Sequence, residues 1–426
     1  MKLRCKVACL VLAGLLAWAG SAAANTLTLN TYYGPLAANA DSVMVSDDDG
    51  RWREVSGELG RYLVELDGPR FALAVTCFGA AGPQITLYRF LADELTELGH
   101  VCAGPGDVLS PTARFRGELR TPPADRAQLH WATVQLGALQ LYSGVAHDLT
   151  SFSVSFVPRA AADIVALYGA VDRAPSTAVV LRGATVEHDR LVELDFAGEG
   201  ALALQPFELS VPGASSAVAS ARLVTCGAAS ALVGSRLLGG DARLEWAALP
   251  EAARETCDRY ELTAHQVTPG GAGLRLATTS LAEPADAELT LPEPVVAPLL
   301  DTVGTDPLRV RMSWAPVAGT QFYLGELSDG RVTWRFVQSA ALAPAITLPP
   351  WGLGVGVPDL RGGVFGWGFG AASGSGSVGE SLHAYGHNIV TGHGEHLGPV
   401  SADLRFRLFV TGGTWAPHTT ELPGRR

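Results

Sequence analysis

Residues 70–102 read RFALAVTCFGAAGPQITLYRFLADELTELGHVC. Phe71, Leu73, Val75 and Cys77 alternate with Ala72, Ala74 and Thr76, the two-residue period of a strand with one buried face. After a Gly-Pro turn, Ile85 and Leu87 face one way and Thr86 and Tyr88 the other, giving a second strand. Leu91, Leu95 and Leu98 fall at helical spacing and predict a short helical turn before His100-Val101-Cys102. A cysteine stands at each end of this unit, so a Cys77–Cys102 bridge is expected to close it. The stretch sets the fold class: all-β, tandem β-sandwich domains with very little helix.

The chain opens with Lys2, Arg4 and Lys6, an apolar run over 7–18, and Gly20-Ser21-Ala22-Ala23-Ala24. That is the three-part layout of a signal peptide over 1–24, cleaved after Ala24. The apolar run is short of the roughly 20 residues that span a bilayer, and a retained anchor is the alternative. Cys9 precedes the bulk of the apolar run and is no lipoprotein cysteine. No later segment is long and apolar enough for a membrane helix, so the mature chain is expected outside the cytoplasm: in the periplasm, on the cell surface or secreted.

The roughly 400 residues that follow exceed what one core organises. Turn and proline clusters divide them into four expected blocks. These are a disulfide-stapled β domain over 25–105, a β-sandwich over 106–212, a second stapled domain over 213–292, and a sandwich with Gly/His-rich loops over 293–426. Cys77, Cys102, Cys226 and Cys257 remain after the leader, and no C-x-x-C pair points to metal. Three connectivities are possible; the two local ones, 77–102 and 226–257, keep each pair inside one strand-rich block.

Both lysines lie in the leader, so arginine is the only strong cation of the mature chain. That removes a P-loop lysine, a Schiff-base lysine and an S-x-x-K nucleophile pair. The formal net charge of −11 disfavours nucleic acid and anionic membrane as partners, which call for basic patches.

Along the chain, strands are expected over 26–30, at Tyr62, Val64 and Leu66, and over 150–157, where Phe152, Val154 and Phe156 alternate with serines. More follow over 164–167, 177–181, 191–196 and 207–211. Ser46-Asp47-Asp48-Asp49-Gly50 reads as a turn, with calcium ligation as the alternative. Arg222-Leu223-Val224-Thr225-Cys226 echoes Leu73-Ala74-Val75-Thr76-Cys77, and a short helical segment over 250–255 precedes the partner cysteine. Leu308, Val310, Met312 and Trp314 line one strand face, with Arg309 and Arg311 on the other; Arg405 and Arg407 likewise oppose Phe406. The run Ser313-Trp314-Ala315-Pro316, with Gly319 and Tyr323-Leu324, resembles the second and third strands of fibronectin type III modules. The resemblance covers about a dozen residues. It implies a core tryptophan at Trp314 and a tyrosine on the facing sheet at Tyr323. A tyrosine near a late strand, also expected of that family, has no counterpart in Leu404-Arg405-Phe406-Arg407-Leu408.

Two stretches carry candidate chemistry. In Val364-Phe365-Gly366-Trp367-Gly368-Phe369, an extended backbone places Phe365, Trp367 and Phe369 on one face and leaves the other bare. Such a row either stacks on sugar rings or fills a core. In 381–398, His383, His387, His393 and His396 cluster around Glu395, as zinc or copper ligands or as a solvated Gly-rich loop. No H-E-x-x-H or G-x-S-x-G occurs. A triad or carboxylate pair assembled by folding stays open. No resident cofactor is expected beyond that zinc or copper option. The reading is a non-catalytic envelope scaffold, spacer or adhesion module with a cell-envelope protein or glycan as partner. The alternative is a carbohydrate-binding or metal-dependent enzyme working through 351–398.

Overall fold

A computed structural model describes residues 25–33, 36–47, 51–79, 82–102, 113–121, 129–137, 139–146, 151–156, 161–185, 191–227, 229–240, 243–268, 273–303, 309–330, 332–348, 364–385 and 404–415. The chain is all-β: strands run from Asn25–Tyr33 to Arg405–Trp415, interrupted among the described residues by one 3-10 turn, Glu251–Ala253, and one α-helix, Val378–Tyr385. The 3-10 turn is what the helical reading of 250–255 becomes. The leader, the turn at 48–50 and Leu308 lie outside the described residues.

The largest sheet has 12 strands. Its middle is built from Arg405–Trp415, Phe365–Gly374, Phe322–Ser328, Thr333–Ser339, Gly82–Leu91 and Arg70–Gly79, in that order. Gly82–Leu91 runs parallel to Thr333–Ser339, pairing Ile85 with Trp334 and Tyr88 with Val337. Gly273–Leu281 joins the other side through Arg405–Trp415. Hydrogen bonding therefore passes between strands of 25–105, 213–292 and 293–426, where the sequence predicts separate sandwiches. Pairing between strands some 250 residues apart leaves no local trace, because each strand records only which of its faces is apolar.

Other sheets cover parts of both faces of this one. Asn25–Tyr33, Arg61–Leu66 and Glu97–Cys102 belong to a five-stranded sheet that packs over one face, burying Leu27, Leu29, Val64 and Leu98 against Leu73, Val75 and Phe90. A three-stranded sheet of Leu299–Val303, Arg309–Ser313 and Ala345–Thr347 covers the other, around Met312, Trp314, Phe336 and Phe369. Residues 71–77 are consequently buried on both sides, not on one: Ala72 and Ala74 meet the second layer while Phe71 and Leu73 meet the first. Trp314 is buried 5.2 Å, ring to ring, from Tyr323 on the facing sheet.

The bridges join Cys77 to Cys102 and Cys226 to Cys257. The first ties two layers together, since Cys77 belongs to the large sheet and Cys102 to the sheet above it. The helical turn expected at Leu91–Leu95–Leu98 is a strand end, a turn and the strand Glu97–Cys102. Glu94 closes that turn by accepting the Leu91 N–H at 2.8 Å, and burial then alternates residue by residue from Glu97 to Cys102. The sheet of Ala113–Arg120, Ser151–Phe156 and Leu191–Asp195 and the sheet containing His130–Leu136 and Ala162–Ala170 share a core of Leu119, Val134, Ile164 and Phe196. Val165, Leu167 and Ala178 leave that core and join the one around Trp246 and Tyr260.

Candidate functional site

Strand Phe365–Gly374 alternates aromatic and glycine, and the two faces meet opposite fates. Phe365 and Phe369 are 0% and 1% exposed, sealed in cores shared with Trp334 and Trp314. Neither can present a ring to a sugar, because the three-stranded sheet covers that face. Trp367 packs beside them and also borders a cavity on the other side of the strand. Gly366 and Gly368 line that cavity with nothing but backbone. A Cβ built on Gly368 would meet Glu326 Cβ at 3.8 Å and Thr411 O at 3.9 Å, so a side chain there would fit and project into the space.

The cavity is a cleft of 790 Å³ between the large sheet, the edge of Glu97–Cys102 and the helix. Its floor carries Glu326 and Arg335 from neighbouring strands, joined by a 2.7 Å ion pair and each partly open to solvent. Its far wall holds Tyr88 and His100. The disulfide sulfur Sγ of Cys77 has no hydrogen, so His100 Nε2, 3.4 Å away, donates to it. Nδ1 must then be the acceptor of the Tyr88 hydroxyl at 2.8 Å. Burial, reinforced by the Arg335 charge, pushes the His100 pKa down to about 4 and keeps the ring neutral. Burial likewise pushes the Tyr385 phenol, at the helix end of the cleft, up to about 12.

The helix enters through a Ser377-x-x-Glu380 capping box. Ser377 N–H donates to Glu380 Oε2 at 2.8 Å, and Glu380 N–H donates back to Ser377 Oγ at 3.2 Å. His383 belongs to this helix and lines the cleft, although the sequence places it in a solvated loop or a histidine cluster. His387, His393, His396 and Glu395 lie outside the described residues. Two groups with metal-ligand spacing occur among the described residues, Cys77/His100/Cys102 and Cys226/Glu255/Cys257; each contains a bridged cysteine pair.

Of the predicted site residues, then, the fold brings Trp367 and His383 to one cleft and buries Phe365 and Phe369. Glu326, Arg335, Tyr88 and His100 were missed as a set. Their signal in sequence is faint: polar residues on the face opposite Ile85, Leu87, Trp334 and Phe336, in strands otherwise rich in core residues.

No family model and no curated protein matches the chain. Among solved structures, the Bacillus anthracis TIE protein is 8% identical at a TM-score of 0.16, covering 63% of this chain and 50% of that one. This chain thus spans half the length of that protein's chain. A Streptococcal ancillary pilin is 11% identical at 0.15, covering 63% and 99%. A tetra-tandem repeat in the extending region of a large adhesion protein is 10% identical at 0.13, covering 82% and 95%. Superpositions this loose carry no argument about fold or function.

Proposed function

We propose that the mature chain acts outside the cytoplasm as a non-catalytic binding scaffold of the cell envelope, an adhesion or spacer protein whose working surface is the cleft. Its fibronectin type III-like part lies around Trp314 and Tyr323. The observation that carries the reading is the glycine-lined floor: Gly366 and Gly368 bring no side chains into a 790 Å³ cleft that lies against the large sheet. Export is supported by the leader-like start and by two disulfides. Among the described residues no helix is long and apolar enough to cross a membrane.

The non-catalytic part is supported by how the polar groups of the cleft are engaged. Glu326 pairs with Arg335, and Glu97 accepts from Asn30 Nδ2. Glu94 accepts from Leu91 N–H and Ser339 Oγ, Glu380 caps the helix, and both nitrogens of His100 are committed. A general acid or base needs a proton to exchange with substrate, and these groups hold structural partners instead.

The test compares the mature protein with Gly368→Leu for binding to purified cell envelope, with glycan and peptide turnover assayed alongside. Saturable binding that the variant loses, with no turnover by either protein, is the expected result. Turnover abolished by Glu326→Gln would overturn the non-catalytic reading in favour of an enzyme.

A further inference from the structure

The geometry points to the kind of ligand: we infer that the cleft takes an extended, cationic peptide segment of a partner protein, added as a strand to the edge of Glu97–Cys102 that faces away from Asn25–Tyr33. This rests on reading the cleft as the working surface. Strand Glu97–Cys102 pairs in parallel with Asn25–Tyr33 and with no other strand among the described residues. The phase of that ladder is fixed by one bond, Thr28 N–H to Thr96 O at 2.9 Å. In a parallel pair, alternate residues of a strand face the partner. Leu98, His100 and Cys102 therefore turn their backbone groups toward Asn25–Tyr33. The N–H and C=O of Glu97, Gly99 and Val101 point the other way, toward the cleft those three residues line.

Three donors and three acceptors repeating every second residue, about 6.6 Å apart, match the backbone of an added strand. An edge with no second strand paired to it, as here among the described residues, is what proteins elsewhere blunt or cover. The charge of the cleft selects the segment. Glu94, Glu97, Glu326 and Glu380 line it against the single guanidinium of Arg335, and His100 is neutral. A concave wall of like charge focuses its field, and the whole chain is acidic as well, so anions are repelled and lysine or arginine side chains drawn in. The depth over Gly366 and Gly368 admits those side chains. A neutral oligosaccharide has no such periodic backbone and gains nothing from the charge.

The experiment titrates the full mature protein with a fluorescent peptide of five Lys-Thr repeats. Its partners are the same peptide N-methylated at every residue, the Glu-Thr counterpart, and chitohexaose. Lys-Thr is expected to bind saturably. The N-methylated peptide, equal in charge but without donors, and the Glu-Thr peptide are each expected to bind at least about tenfold more weakly. Gly368→Leu, checked for folding by circular dichroism, is expected to lose Lys-Thr binding to a similar degree. Equal affinity for the N-methylated peptide would reduce the attraction to charge alone and overturn strand addition, whatever the variant does. Absence of Lys-Thr binding also overturns the proposal. If chitohexaose then binds wild type but not Gly368→Leu, the cleft remains the working surface with a different ligand. A dimer seen by sedimentation and abolished by Gly368→Leu would assign the edge to a second copy and likewise overturn it.

Discussion

Arg182 shows how much of this molecule depends on single side chains between blocks. Its guanidinium reaches Asp163 at 3.0 Å within 106–212, and both oxygens of Asp258 in 213–292. Asp258 in turn accepts the N–H of Cys226, a member of the second disulfide. Both carboxylates are nearly inaccessible, so removing the arginine strands two buried charges. Arg182→Leu is expected to cost about 3 kcal/mol or more in urea unfolding; a loss under about 0.5 kcal/mol would mean the cluster is not holding the junction. Burial by itself would raise the Asp163 carboxyl, but N–H groups of Gly183 and Gly227, Thr225 and Arg182 outweigh it and hold it below the usual carboxylate range. A depressed acid contributes stability above its unfolded value near 3.9 and loses it as pH falls through the folded value. Asp163→Asn should therefore flatten the stability profile below about pH 4. His100 acts in a separate window. Its folded pKa of about 4 lies below the unfolded 6.5, so stability declines as pH falls from about 6.5 to 4 and levels off beneath. Imidazole resonances of His100 followed by NMR should not titrate above pH 5; a midpoint near 6.5 would refute the buried, doubly bonded ring.

Strands of this protein are legible where one face is apolar and the other is not. Arg61–Leu66 reads and folds as strict alternation, and so does Arg309–Ser313. Legibility fails where both faces are buried or where three leucines mimic a helix. Leu91, Leu95 and Leu98 share a spacing that a helix would use, yet Leu95 lies in a turn and Leu98 in a strand, and both are buried there. The helix Val378–Tyr385 was missed because glycines surround it, although Ser377-x-x-Glu380 is a capping signature visible in the sequence. Ser377→Ala should destabilise that end of the cleft by about 1 kcal/mol, read as faster local amide exchange over 378–385. The aromatic row illustrates a subtler limit. Alternation correctly separates Phe365 and Phe369 from the glycines, but sequence cannot say which face a second sheet will cover. Once that layer is placed, the glycine face is the one that borders the cleft.

Taken as a whole, the chain is all-β with two local disulfides, as its composition and cysteine spacing imply, but its layers merge across the expected boundaries. Gly82–Leu91 hydrogen-bonds to Thr333–Ser339, and Gly273–Leu281 to Arg405–Trp415. No pattern within either partner encodes such a pairing. A fragment of 25–105 alone should thus lack the neighbour that completes its sheet and fail to give a cooperative melt by circular dichroism; a sharp two-state transition would show that block to be self-sufficient. The edge of Glu97–Cys102, without a second paired strand among the described residues, is where the proposed ligand adds. Residue-resolved hydrogen exchange of the chain from Asn25 onward measures it directly. Slow amides at Leu98 and His100 beside fast ones at Glu97, Gly99 and Val101, with the latter three becoming protected when Lys-Thr peptide is added, is the predicted result. Uniform protection of all five in the free protein would contradict it, since the edge would then already be paired.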